Sequence, residues 1–484
     1  AAGRQRTPGG RGLHLASRAR PVGRHLRRGV PVRLGQLRSM GLDEIAVRGR
    51  QQAAKWLDRA GAPLTMPAHR GPAVGAGPDT LTGHPFFAGA AAAGLPALIA
   101  ARMPRAREAA IAVAGAALRH RFDLLGYSNL SFGDPIDWHL DPVSGRRVPL
   151  VHWSRLSPLD HAANGDAKVI WELNRHQWLV QMGQAYRMTG DERYGDAFAR
   201  TLTQWLQANP AGMGINWASS LEASFRLIAW CWCLRLFDGA RALSPRLRHE
   251  LVEGIALHAA HVERYLSTYF SPNTHLTGEA LGLVYAGALL PGSAHARRWT
   301  ALGERILIDQ CDRHVLPDGV YFEQATGYER YTLEFYLHFL ILSAAGGRPV
   351  PAGVTAAVHR MLDFVLTIRR PDGSLPQIGD ADSGSLLPLT PRAQDDFRGV
   401  FAVAAAWLGR PDCAWAAGGA APELLWLLGP AGLSTFDALE PEPPQAPSSR
   451  PFAHGGYVVM QDGWDADRHQ LTFDTGPLGC GVTS

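Results

Sequence analysis

From about residue 43 to 430 the chain repeats one pattern, and that pattern limits the fold. Apolar residues recur at helical spacing through segments of roughly 12–20 residues, and Gly or Pro marks the turns between them. The segments fall at 104–120, 168–189, 191–208, 218–238, 245–268, 274–290, 296–315, 326–345, 352–370 and 393–408. No short solenoid period runs through them, which argues against a TPR or HEAT array. Many antiparallel helix pairs without a repeat motif suggest a helical toroid or an irregular bundle. With 484 residues, 46% of them hydrophobic, the chain can bury a sizeable core of this kind.

The formal net charge of +5 is a local effect. Residues 1–39 contain ten Arg and no Asp, Glu or Lys, which leaves 38 basic against 43 acidic side chains in the rest. The high positive charge is therefore no argument for nucleic-acid binding by the folded part. The basic stretch has no apolar core segment or small-residue cleavage site, so it does not read as a secretory signal; it is expected to be a disordered or non-native leader ahead of Met40. No apolar run approaches the roughly 20 residues that span a bilayer. Cys231, Cys233, Cys311, Cys413 and Cys480 form no CxxC pair and are odd in number, so neither a disulfide framework nor a four-thiolate zinc site is indicated.

Near the C-terminus the composition shifts. The Pro-rich "LEPEPPQAPSSRP" (439–451) reads as a linker, and "GGYVVMQDGW" and "HQLTFDTGPLG" beyond it have the alternation and turn residues of a hairpin. The expected division is a leader at 1–39, a helical domain at 40–435, a linker at 436–450 and the first strands of a β domain at 451–484. Two strands alone do not make a stable sheet, so the chain is expected to be a C-terminally truncated protein.

Several polar residues fall where a core should be. In "WELNRHQW" (171–178), Asn174 and Arg175 lie on the helical face marked by Trp171 and Trp178; such groups either find buried partners or line a cleft. Glu222 and Arg226 stand at i,i+4, a spacing usual for a helix-surface pair. Asn273, Thr274 and His275 occur where Asn or Thr could cap a helix. "IDWHLDPVSGRRVP" (136–149) and "PQIGDADSG" (376–384) are loops dense in Trp, His, Asp and Gly. Together these suggest a cleft of aromatic faces and polar forks, which suits sugar rings carrying acid groups.

"FEQATGYERYT" (322–332) reads as a helix start. Thr326 and Glu329 have capping-box spacing, which places Tyr328 in the first turn beside the positive end of the helix dipole.

These stretches, with "NTHLTGEALGLVYAGALL" and "GGYVVMQDGW…LTFDTGPLG", resemble in order the heparinase II/III-like polysaccharide lyases over roughly nine-tenths of the chain. The resemblance implies a mainly α fold, an incomplete (α/α) toroid followed by an antiparallel β-sandwich. It also implies β-elimination on a uronate-containing polysaccharide. That reaction needs a group to neutralise the uronate carboxylate, and a base and acid near the reacting carbon and the leaving oxygen.

Tyr328 matches the family's catalytic tyrosine, with Arg330 as a nearby cation that would favour its anion and Tyr331 as its competitor. Asn273 matches the position that contacts the carboxylate, and His275 is second choice. Asn174, Arg175, Asn216, Trp217, Arg226, Glu323, Arg330 and Tyr331 would bind the sugars. Relatives follow "GPLG" with a His-rich segment that supplies a catalytic histidine and, in some, metal ligands. Here the chain ends at "GPLGCGVTS", and His454 and His469 do not match that motif. The visible chain therefore calls for no cofactor, leaves a structural metal to the β domain that is missing, and is expected to turn over slowly or only bind. The expected partner is an acidic polysaccharide, with neither nucleic acid nor membrane insertion, and the family points to the periplasm or secretion.

A glycoside hydrolase on a similar toroid is the nearest rival. It needs two carboxylates roughly 5–10 Å apart, for which Asp380 with Asp382, or Glu279 with Glu323, are candidates. A non-catalytic saccharide-binding fragment is the other rival.

Overall fold

The structure is a computed structural model that describes residues 40–60, 86–290, 294–381, 385–476 and 479. The expected leader at 1–39, Asp382 and Cys480 lie outside the described residues. The chain divides into two units after Ile45, within the first described helix, and the contacts given below lie within Ala46–Ser484.

In chain order the helices α1 (Leu42–Arg59), α2 (Ala88–Ala91), α3 (Leu95–Arg102) and α4 (Pro104–Ala117) precede two small hairpins. One hairpin pairs β1 (Phe122–Leu124) with β2 (Tyr127–Leu130), the other β3 (Leu140–Asp141) with β4 (Arg146–Arg147). Then come α5 (His161–Asn164), α6 (Ala167–Asn174), α7 (Gln177–Thr189), α8 (Glu192–Ala208), α9 (Ser220–Leu236), α10 (Pro245–Arg264) and α11 (Thr274–Leu289). After them run α12 (Ala294–His314), α13 (Thr326–Ala345), α14 (Ala352–Ile368), α15 (Arg398–Leu408), α16 (Pro411–Ala417) and α17 (Pro422–Asp437). Strands β5 (Arg450–Phe452), β6 (Tyr457–Gln461) and β7 (Gln470–Asp474) close the described chain.

Helices buried on every side alternate with helices buried along one stripe. α9 is buried without a gap from Leu221 to Leu236, and α11 from Leu276 to Leu289. Between and beside them, α8 buries only Tyr194, Phe198, Leu202, Trp205 and their small neighbours, at the three-to-four spacing of an amphipathic helix. α9 packs against α7, α10 and α11, and α11 packs against α12 and α13. A helix apolar all round must lie inside such an assembly, so α7, α9, α11 and α13 form an inner layer and their amphipathic partners an outer one. Gly282 sets how closely two inner helices approach, because a Cβ there would collide with Ser224 of α9.

One expected helix is broken. The segment 168–189 divides into α6 and α7 at His176, whose φ of 60° is left-handed. Its ring is held by tertiary contacts: Trp230 Nε1 donates to His176 Nδ1 at 2.9 Å, and the two rings stack. Helical periodicity cannot report such a contact. The other expected helices lie within five residues of the observed ones.

The C-terminal region also differs from expectation. α17 runs to Asp437, inside the expected linker, and β5 emerges from the linker's end to make a third strand. β5, β6 and β7 form one antiparallel sheet, and its inner face packs on α14, with the Phe364 ring 5.0 Å from Phe452 and 5.5 Å from Tyr457. The helices supply the layer that two strands alone would lack. Cys231, Cys233, Cys311 and Cys413 are free and buried.

Candidate active site

Tyr328 stands in the first turn of α13, two positions after Thr326, the first helical residue. The residue is half-buried, and its hydroxyl donates an exposed hydrogen bond to Asp380 Oδ2 at 3.2 Å. The loop carrying Asp380 is clamped to the helix start. Thr326 N donates to the Ile378 carbonyl at 3.0 Å, Thr326 Oγ1 donates to the Pro376 carbonyl at 2.8 Å, and Ile378 N donates back to Thr326 Oγ1 at 3.1 Å.

Two expectations about this turn are corrected. The capping box does not form, because Thr326 is already helical and clamps the 376–378 loop. Glu329 instead accepts from Tyr321 N at 2.8 Å, and burial pushes its carboxyl well above the usual range. Arg330 does not serve Tyr328: its Nε donates to Glu334 at 3.0 Å and its guanidinium lies over the Phe397 ring. One partner of the phenol is the Asp380 carboxylate. Tyr331 is a buried aromatic, stacked on Phe335 and 3.4 Å from Arg175 Nη1, with burial raising its phenol above the ordinary value.

Asn273 is the N-cap of α11, where its side chain accepts from His275 N at 3.1 Å. Its Nδ2 donates to Glu323 Oε1 at 2.9 Å, and Thr274 N donates to Glu323 Oε2 at 3.1 Å. The Thr274 hydroxyl donates to the same carboxylate. Burial raises the Glu323 carboxyl, against the hydrogen bonds it accepts. Glu323 lies five residues before Tyr328, so one side chain ties the start of α11 to the turn that enters α13. His275 is exposed beside it.

Several residues expected to form the sugar-binding wall are buried. Asn174, Asn216 and Arg226 have no exposed surface and Trp217 has 1%. Arg226 donates to the carbonyls of Asn174 (2.9 Å) and Asn216 (2.6 Å) and to His258 Nε2 (3.0 Å), under the Trp205 ring. Burial lowers its guanidinium to about 9. Asn174 and Asn216 each donate to the Trp138 carbonyl at 3.1 Å, which ties the 136–149 loop to the same frame. Arg175 grips Glu222 by two hydrogen bonds, at 2.7 and 2.9 Å, and Glu172 by a third at 2.7 Å. Glu222 and Arg226 are therefore buried groups of two networks and not a surface pair. Polar residues on an apolar stripe were the signal, and here they found buried partners. Sequence reasoning missed Asp380 as the phenol's partner, since nothing in the spacing joins 328 to 380.

His454 is exposed, and its backbone N–H donates to Asp318 at 2.7 Å. The His469 side chain is 96% exposed beside Asp462. Among the described residues no three His, Cys, Asp or Glu side chains converge in a way that could hold a metal ion, and no helix is long and apolar enough to cross a membrane.

Comparison with known proteins places the chain among relatives. The profile of the family described as "Heparinase II/III N-terminus" matches residues 99–398, more than half of the chain. The heparin-sulfate lyase of Bacteroides stercoris is 26% identical over 294 residues, 56% of this chain and 40% of that protein. The heparin-sulfate lyase of Pedobacter heparinus is 25% identical over 283 residues, 56% of this chain and 38% of that one. The chain thus spans about two-fifths of the length of these curated relatives. The crystal structure of heparinase III superimposes with a TM-score of 0.56 at 18% identity, over 76% of this chain and 53% of that one. The heparan sulfate lyase HepC from Pedobacter heparinus gives 0.50 at 20%, over 79% and 55%. These likenesses establish the fold, an incomplete (α/α) toroid followed by the strands of an antiparallel sheet.

Proposed function

The chain belongs to the heparinase II/III family, and on that premise we propose that it is a polysaccharide lyase cleaving a uronate-containing polysaccharide by β-elimination. The observation that supports this reading is the bridge made by Glu323, which hydrogen-bonds Asn273 and lies five residues before Tyr328 in the chain. The second N–H of the Asn273 amide, the first being given to Glu323, donates to the uronate carboxylate. Charge that develops there in the transition state is then tolerated. In the elimination a base takes the proton from the carbon bearing that carboxylate, the bond to the 4-oxygen breaks to leave a carbon–carbon double bond, and the leaving oxygen takes a proton. Tyr328 is the group assigned to proton transfer, and its hydrogen, given to Asp380 in the free chain, turns to the leaving oxygen when substrate is bound.

The names of the relatives support a sulfated uronate polymer as the substrate, and a periplasmic or secreted setting is in keeping with that. Asn174, Asn216, Trp217 and Arg226 act by holding the frame. The hydrolase alternative is less well supported. Glu279 has no exposed surface and is occupied by Ser267, whose N–H and hydroxyl both donate to it.

The test is ultraviolet absorbance of the purified chain with heparan sulfate, alginate, hyaluronan and a glucuronate-rich exopolysaccharide, with Tyr328→Phe alongside. A rise that is lost in the variant supports the lyase. Release of saturated sugars would turn the reading to a hydrolase, and binding without product to a saccharide-binding fragment.

A further inference from the structure

The turn that leads into Asn273 is built for rigidity and yet carries an exposed aromatic ring. Phe270 is 79% exposed, more than any Phe, Trp or Tyr among the exposed large hydrophobic residues described. Its backbone is far from loose. Phe270 N and Ser271 N both donate to the Ser267 carbonyl, at 3.2 and 3.0 Å. Ser267 is anchored by the buried Glu279 carboxyl group, whose oxygens lie 2.7 Å from its N–H and 2.6 Å from its hydroxyl. From the side, α1 grips the same turn: Gln51 Nε2 donates to the Leu266 carbonyl at 2.9 Å and Arg48 Nη2 to the Tyr269 carbonyl at 2.7 Å.

A buried carboxyl group and a helix committed to one surface turn are more than a connection between α10 and α11 requires. A lone exposed apolar residue needs no explanation on a mobile loop. On a turn fixed from two sides it is held at a set place, with little ordering entropy left to lose when a ligand packs on it. Phe270 lies three positions before Asn273, a reach of at most about 11 Å between their α carbons. Phe270 is thus near enough to Asn273 for its ring to meet the sugar next to a uronate held there.

We infer that Phe270 is the stacking platform of a second subsite, taking the apolar face of the pyranose unit next to the uronate, and that α1 and Glu279 position it. The inference deepens the lyase reading and rests on the same Asn273 site. A ring that stacks on one sugar face contributes to ground-state binding and transition-state binding alike, so it lowers KM and leaves kcat unchanged.

The test measures equilibrium binding of heparan sulfate and alginate oligosaccharides of defined length in a Tyr328→Phe background, where turnover does not interfere, with Phe270→Ala and Phe270→Trp added. Phe270→Ala is expected to weaken binding about tenfold, a factor equal to about 1.4 kcal/mol, and Phe270→Trp to retain it. Equal binding by the Ala variant, or binding of none of these oligosaccharides, overturns the subsite. In the otherwise wild-type chain, unsaturated product formed with an unchanged KM in Phe270→Ala overturns the subsite and keeps the lyase. Weakened binding without any product keeps the subsite and overturns the lyase. Amide exchange over 265–272 is expected to quicken in Arg48→Ala/Gln51→Ala, and an unchanged rate overturns the positioning role of α1.

Discussion

The Tyr328 hydroxyl donates to Asp380 Oδ2 at 3.2 Å, joining the first turn of α13 to a loop 52 residues further along the chain. Proton transfer by a phenol depends on where its hydrogen points, and in the free chain the Asp380 carboxylate is one acceptor for it. Tyr328→Phe is expected to lower kcat by about 10²–10⁴-fold, the usual contribution of a positioned acid or base. Asp380→Asn is expected to lower it about 10–100-fold, the loss of one hydrogen bond to a charged group. Initial rates of unsaturated product with matched circular dichroism spectra check both; equal rates in Asp380→Asn would remove the orienting role.

Glu323 accepts from Asn273 Nδ2 and from Thr274 N while burial raises its carboxyl. Glu323→Gln turns one acceptor oxygen into a donor, so it must oppose one of the N–H groups it now serves. The expected result is a drop in kcat/KM of about tenfold or more. Asn273→Ala in the same background is expected to add less than it does alone, since the two act as a unit. Full additivity in the double-mutant cycle would show that they work apart.

Arg226 acts on the frame and touches no substrate in this account. Arg226→Leu leaves the carbonyls of Asn174 and Asn216 without their donor. That is expected to cost about 2–5 kcal/mol of folding stability. Urea unfolding measures it. A variant with unaltered stability and weakened sugar binding would return Arg226 to the binding wall.

Burial lifts the Glu279 carboxyl to about 8 in the folded chain. Its unfolded value is near 4.3. Between those two values the folded state binds a proton that the unfolded state has released, so this group's contribution to stability falls as pH rises from about 4.3 to about 8 and is constant above. The difference in stability between wild type and Glu279→Gln is expected to shift in the variant's favour across that window. A difference that does not change with pH would mean that Glu279 is ionised in the fold.

The sequence by itself determined the helical architecture. Periodicity located α8 through α14 to within a few residues, because the spacing of apolar side chains is a local property that burial rewards directly. It also placed Asn273 at a helix start and Tyr328 in a first turn, since caps and turns depend on near neighbours. What it could not determine is which polar residue faces which. The break at His176 follows from Trp230, 54 residues away, and the burial of Asn174, Asn216 and Arg226 follows from one another across three elements. Asp380 reaches Tyr328, and Glu323 reaches Asn273, only once the inner helices have packed. A buried polar group and a group lining a cleft leave the same mark on an apolar stripe, and only tertiary packing decides whether its partner is the protein or the ligand.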